Sequence, residues 1–316
     1  MGYQMKVVGL VTEYNPFHNG HKYHIEQAKK LTGADYAIAV MSGNFVQRGT
    51  PALLDKYTRA EMALRNGVDL VLELPVCYAT GSAEYFAHGA ISLLDKLGIV
   101  DYLCFGSECG DLELLRAAAK ALLDTPDGFD EKLLSSLKDG LTYPAARLKA
   151  LEQTQNTQSG VDDIHLLSTA LKEPNNILGI EYLKAMENLS SAMVPVTIQR
   201  KQAHYHEERL SDAALSESTY WNGKSEPGHT RMLSGRLHPD PEQILSGGLY
   251  SDPEQISFGS PVISSATAIR NALLDSYASS GVNNISSIES SVPKDVYRLL
   301  CSCYHKTCPI TEEDFS

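Results

Sequence analysis

The sequence predicts an α/β protein: a Rossmann-like, doubly wound parallel sheet followed by a mostly helical second region. Three observations carry this prediction. Between Lys6 and Glu108, short β-branched apolar runs alternate with segments of helical periodicity, the pattern of a parallel sheet with crossover helices. The strand-like runs end in turns rich in Gly, Asn and Ser, where ligands of such sheets bind. The chain has 316 residues, 43% of them apolar, enough to bury one large domain with smaller additions.

Lys6 to Thr12, "KVVGLVT", reads as a buried strand, and His21 to Leu31 as an amphipathic helix closed by Gly33. Tyr36 to Met41 is the second strand. The loop "SGNFVQRGTP" leads to a helix over Asp55 to Arg65, ended by Asn66-Gly67. Leu70 to Leu74 is the third strand, Ser82 to Leu97 a helix, and "VDYLCFGSE" holds the fourth strand. From Asp111 to Leu189 the pattern is helical, with Pro174 able to open "PNNILGIEYLKAMENL", and Val194 to Gln199 returns to strand. His206 to Pro261 is rich in Ser, Gly, Pro and charge and reads as a long irregular insertion. It contains a tandem 12-residue repeat, "LHPDPEQILSGG" and "LYSDPEQISFGS", best explained as a local duplication. "ISSATAIRNALLDSY" then begins a helix. The expected organisation is a Rossmann-like core over 5–125, a helical region with a returning strand over 126–205, the insertion over 206–262, and a C-terminal helical segment over 263–316.

Composition narrows the functional classes. The net charge of −12 argues against a surface that attracts nucleic acid everywhere, because phosphates are met by Lys and Arg. It leaves room for a local basic groove, and Lys29, Lys30, Arg48, Lys56, Arg59 and Arg65 concentrate positive charge in the first third. No apolar run reaches the roughly 20 residues of a membrane span, and Met1 to Met5 lead directly into a strand. The expectation is a cytoplasmic protein without membrane association. Six cysteines are too few and too uneven for a disulfide framework. Cys301, Cys303, His305 and Cys308 cluster, but their spacing departs from the paired CxxC of structural zinc sites, so no metal site is expected.

Three of the ten histidines, His18, His21 and His24, recur at intervals of three in "YNPFHNGHKYH". A helix starting near His21 aims free N–H groups and a positive dipole end at the sheet edge, where phosphate binds. His18 and His21 can then donate to phosphates, while Gly20 lets backbone come close. Zinc would need a third ligand and the i, i+4 spacing of HExxH, and His24 alone reads as a polar helix-face residue. Late in the chain, Ser265 or Thr267 at a helix start with Arg270 one turn on can also face phosphate. Alone, that segment reads as a cap and a solvated charge, as Asn175 or Asn176 reads as a cap and Arg200 as a surface cation.

HxGH after the first strand together with a late Ser/Thr-x-x-Arg helix start resembles the HIGH-type nucleotidyltransferases. More closely, "EYNPFHNGH", "MSGNFVQRG", "DKYTRAEMAL", "DLVLELP", "CFGSE", "PNNILGIEYLKA" and "SATAIR" together resemble the tRNA(Met) cytidine acetate ligases. This resemblance implies an ATP-dependent ligase: acetate attacks the α-phosphate of ATP, and the acetyl group passes to N4 of the wobble cytidine of elongator tRNA(Met). It implies ATP with Mg²⁺ as cofactor, with acetate and elongator tRNA(Met) as partners. The ATP-binding stretch it implies is Val11, Thr12, Glu13, Tyr14, Asn15, Pro16 and Phe17, continuing through His18, Asn19, Gly20, His21, Lys22, Tyr23 and His24. Gly106, Asn175 and Arg200 are further implied nucleotide contacts, with Ser265, Thr267 and Arg270 matching the late motif. His18, His21 and Arg270 are the candidate catalytic residues, as stabilisers of charge on the α-phosphate and pyrophosphate. By its position alone, the loop Ser42 to Gly49 is expected to form part of the acyl or nucleobase pocket. Two alternatives stand beside this: adenylyl transfer to a small phosphorylated metabolite, and a nucleotide-binding RNA module without turnover.

Overall fold

A computed structural model describes residues 5–47, 49–154, 170–200, 262–280 and 285–303. β1 (Val7–Thr12), α1 (Asn19–Thr32), β2 (Tyr36–Ser42), α2 (Lys56–Arg65) and β3 (Leu70–Leu74) come first. The short α3 (Val76–Ala79) and α4 (Ala83–Lys96) then lead to β4 (Tyr102–Ser107). α5 (Leu112–Leu123), α6 (Phe129–Lys138), α7 (Tyr143–Thr154) and α8 (Pro174–Asn188) precede β5 (Val194–Gln199). α9 (Ala266–Ser280), a 3₁₀ helix (Ile285–Ser291) and α10 (Lys294–Cys303) follow.

The strands form one parallel sheet in the order β3-β2-β1-β4-β5. The chain steps outward from β1 to β3 and then returns to the other side of β1. That reversal opens a crevice at the C-terminal ends of β1 and β4, where doubly wound sheets hold ligands. The returning strand extends this same sheet, Tyr102 to Ser107 of β4 pairing with Val194 to Gln199.

The period-two alternation of each strand builds two cores. Val8 and Leu10 of β1 face a core with Ile25 of α1, Met62 of α2, Ile269 of α9 and Leu300 of α10. Val7, with Leu103 and Phe105 of β4, faces the other, among Phe86 and Ile91 of α4, Leu115 of α5 and Ile180 of α8. Gly9 lets α4 close on β1, since a Cβ there would stand 2.9 Å from Leu94 Cδ1 and 3.1 Å from Val100 Cγ1. Behind α8, the buried Glu181 carboxylate takes Arg147 at 2.7 Å and Lys184 at 2.8 Å. Both of its oxygens are thereby matched, as a buried carboxylate requires.

The last segment docks over the first helix. The Asn19 amide donates to Val262 O (3.0 Å) and Ser290 O (2.7 Å), and the buried Ser264 and Ser291 hydroxyls meet at 2.9 Å. The expected basic groove is corrected. Lys29 pairs with Asp69, Lys56 with Glu73 and Arg65 with Glu61, while Arg59 is fully buried. Opposite charges at contact distance have consumed most of that positive potential. Residues 206–261 of the insertion with its repeat, Arg48, His305 and Cys308 lie outside the described residues. Among the described residues, no helix is long and apolar enough to cross a membrane and no group of three His, Cys, Asp or Glu is placed to hold a metal ion.

Candidate functional site

β1 hands over to α1 through a tightly built turn. Tyr14 adopts φ 47°, a left-handed value rare for a bulky residue, and the Asn15–Pro16 peptide is cis. α1 begins at Asn19, two residues before the expected His21, because His18 serves as N-cap in extended conformation. The His18 N–H donates to His21 Nδ1 at 3.3 Å, an imidazole taking the role usually filled by a Glu or Gln three residues into the helix. An Nδ1 that accepts leaves the neutral His21 ring with its proton on Nε2. The two rings stack with centroids 3.6 Å apart, and Tyr14 meets His21 edge-on at 4.9 Å. Gly20 also has a reason within the fold. A Cβ there would lie 2.9 Å from His18 Cε1 and 3.4 Å from Ile263 Cγ2, so its absence makes room for the ring and the C-terminal segment.

Arg59 holds this turn from beneath. Its guanidinium donates to Leu54 O (3.0 Å), Glu13 O (2.5 Å), Ser42 O (3.0 Å) and Gly43 O. Burial pushes its pKa down to about 10, so it stays cationic at neutral pH. The Glu13 carboxylate accepts from Gln47 N–H (2.8 Å), and Asn15 Oδ1 from Leu53 N–H (2.8 Å). The "SGNFVQRG" loop is thus tied to the end of β1.

Across the crevice, Glu108 after β4 grips the start of α8. Its carboxylate accepts from Asn175 N–H (3.2 Å), the Asn175 amide (2.6 Å) and Asn176 N–H (2.9 Å). Asn176 Oδ1 accepts in return from Glu108 N–H (3.0 Å) and Cys109 N–H (3.2 Å). The positive end of α8 is therefore already met by a carboxylate. Arg200 follows β5, donates to Asn175 Oδ1 at 3.3 Å and lays its stem over Gly106. From the far end of the chain, Ser265 caps α9 by accepting from Ala268 N–H (3.0 Å). Arg270 donates to Asn15 O (2.9 Å) and Thr267 Oγ1 (3.0 Å), joining α9 to the β1–α1 turn.

These parts enclose a cavity of about 530 Å³ at the crevice, within the range of small-molecule sites. Val11, Thr12, Glu13, Tyr14, Asn15 and His18 line it. So do Gly20, His21, Tyr23 and His24, and from elsewhere in the chain Gly106, Asn175, Arg200, Ser265 and Arg270. Five expected residues do not. Pro16 and Phe17 are buried in packing, the Asn19 amide is engaged by the C-terminal segment, Lys22 is exposed, and Thr267 supports Arg270. Gln47, within the expected Ser42 to Gly49 loop, also lines the cavity, as do Ser82, Phe86, Leu178 and Tyr182, which sequence reading passed over. Leu178 and Tyr182 stand three and seven residues beyond Asn175, a helical spacing that puts all three on one side of α8.

Charge and burial act together on the imidazoles. Burial, then the nearby Arg200 and Arg270, lowers His18 to about 3. Burial, followed by the neighbouring His18, Arg200 and His24, holds His21 well below its ordinary value. Burial and Arg200 bring His24 to about 4, against a hydrogen bond to the Phe105 backbone. All three rings are neutral near pH 7, and the positive potential that disfavours imidazolium favours an anion in the same space.

Comparison with known proteins identifies the family. Residues 5–221 match the family described as HIGH Nucleotidyl Transferase. A tRNA(Met) cytidine acetate ligase of Halothermothrix orenii is 47% identical over 228 residues, 71% of this chain and 53% of that protein. One of Alkaliphilus metalliredigens is 40% identical over 305 residues, 96% of this chain and 59% of that protein. The crystal structure of Thermotoga maritima TmcAL bound with alpha-thio ATP superposes with TM-score 0.70 at 35% identity, covering 97% of this chain and 58% of that one. The chain thus spans between half and three fifths of the proteins it matches.

Proposed function

Because the chain belongs to the HIGH nucleotidyl transferase family, we propose that it binds ATP at the cavity and works as a tRNA(Met) cytidine acetate ligase. The observation that carries this reading is the convergence of His18 and His21, Arg200 and Arg270 on one cavity at the reversal point of the sheet. The names of its relatives and the adenine nucleotide bound to the Thermotoga maritima protein support it.

In this reading the triphosphate lies against the start of α1, beside His18 and His21, with Arg270 across it. Mg²⁺ enters with the nucleotide as part of the substrate. An acetate oxygen bonds to the α-phosphorus as the bond to the β-phosphate bridging oxygen breaks, and pyrophosphate leaves. Neutral His21, protonated on Nε2, donates a hydrogen bond to the phosphate, and the two arginines offset the charge that builds on the leaving group. N4 of the wobble cytidine then attacks the acetyl carbonyl, AMP departs, and the amine proton passes to solvent. A cytoplasmic location follows from such a tRNA substrate.

Purified protein given ATP, acetate and elongator tRNA(Met) is expected to release pyrophosphate only with acetate and to form N4-acetylcytidine. Unmodified tRNA beside an active control enzyme would reject the reading. His21→Ala is expected to slow pyrophosphate release at least about 100-fold, as loss of one preorganised donor does.

A further inference from the structure

Arg200 is an exposed arginine held in one place. Its N–H donates to Ser107 O at 2.9 Å, and its stem lies over Gly106, where a Cβ would stand 3.4 Å from Arg200 Cγ. Beyond the stem an exposed arginine has many rotamers of similar energy, and holding one of them costs side-chain entropy. The bond from Arg200 Nη1 to Asn175 Oδ1, at 3.3 Å, singles out a rotamer at the cavity wall. From there its charge reaches His18, His21 and His24 and pushes each toward the neutral form.

Asn175 accepts from Arg200 only while its amide oxygen faces outward. Glu108 fixes that orientation. A carboxylate only accepts, so the atom that meets Glu108 Oε1 at 2.6 Å is Asn175 Nδ2, and Oδ1 is left facing Arg200. The carboxylate is itself held by Asn175 N–H at 3.2 Å and Asn176 N–H at 2.9 Å. Asn176 Oδ1 in turn grips the Glu108 and Cys109 N–H groups. Glu108 does not line the cavity, yet the last link in this chain depends on it.

We propose that Glu108 is a positioning residue of the nucleotide site: through Asn175 it selects the rotamer of Arg200 that presents the guanidinium to a bound triphosphate. This rests on the reading of the cavity as an ATP site. Simple electrostatics has the opposite sign. Glu108 is a negative charge near an anion site and offsets the positive end of α8, so removal of that charge alone would tighten ATP binding. Glu108→Gln keeps the length of the side chain, but its amide offers Asn175 either an oxygen or a nitrogen. The Asn175 amide is then free to turn its NH₂ toward Arg200, donor against donor.

A double-mutant cycle separates positioning from a structural role. Calorimetric ATP binding and acetate-dependent pyrophosphate release are measured for wild type, Glu108→Gln, Arg200→Met and the double variant. Glu108→Gln is expected to weaken ATP binding about tenfold, and Arg200→Met at least as much, the scale of one hydrogen bond to a charged group. The double variant should bind within about twofold of Arg200→Met alone, because Glu108 acts through Arg200. The kcat/KM of pyrophosphate release should follow the same pattern. Losses that multiply in the double variant would make Glu108 merely structural and overturn the proposal, as would unchanged or tighter ATP binding in Glu108→Gln. Should circular dichroism show Glu108→Gln unfolded, Glu108→Asp takes its place in the cycle with the same expected and overturning results. It keeps the charge at the start of α8 but draws it one methylene back from the Asn175 amide. Wild type that binds ATP without releasing pyrophosphate would sink the ligase reading, and the cycle read on binding would still decide the role of Glu108. Wild type that binds no ATP would overturn both.

Discussion

Buried neutral imidazoles give the site a built-in acid sensitivity. His18 and His24 protonate near pH 3 and 4 when folded but near their ordinary 6.5 when unfolded, so between those values the unfolded chain binds more protons. Stability therefore falls as pH drops below 6.5, by up to about 1.4 kcal/mol per pH unit for each ring, and is unaffected by these groups above it. Urea unfolding followed from pH 7 to pH 5 is expected to show this slope, and His24→Gln to reduce it by about one proton. Gly20→Ala separates stability from activity. Alanine favours a helix interior by up to about 1 kcal/mol, yet its methyl displaces the His18 ring. Equilibrium stability should hold while pyrophosphate release falls at least about tenfold. HxGH identified these positions without their packing: a histidine acting as N-cap follows no common capping signature, so the early start of α1 and the close approach of His18 and Ile263 to Gly20 were illegible.

Ordinary caps are what made most element boundaries readable. Asp55 accepts from Tyr57 and Thr58 N–H at the start of α2, and Ser82 caps α4, both common cap residues. Pro174 marks the start of α8 for the same local reason. The Glu108 clamp was not readable, since its partners lie 67 and 68 residues away. Glu108→Gln keeps the shape but removes charge from three hydrogen bonds, and is expected to cost about 1–3 kcal/mol. Affinity for ATP should fall as well, because Asn175 would no longer hold Arg200 in place. Thermal unfolding with and without ATP measures both effects. Arg59 was misread as groove charge for a related reason: four carbonyls from three separate segments capture it, and sequence spacing does not reveal such partners. Arg59→Met leaves those carbonyls unmatched and is expected to cost at least about 3 kcal/mol.

For the whole molecule, the doubly wound parallel sheet followed from the alternation of strand and helix, whereas the docking of α9 on the β1–α1 turn was visible only through family resemblance. ATP at about 100 times its Kd is expected to stabilise the fold by about 2.7 kcal/mol. It should also slow amide exchange in α9, which shares the cavity with α1. Asn19→Ala, which frees Val262 O and Ser290 O, is expected to weaken that transmission while leaving exchange in β1 and β4 unchanged. The bond from Arg270 to Asn15 also has a meaning in time. It joins residues 255 positions apart, and a ribosome adding about 5–20 residues per second needs roughly 10–50 s to cover that distance. Throughout that interval the emerging chain carries His18 and His21 without Arg270, so the cavity proposed to hold nucleotide is incomplete until α9 has emerged.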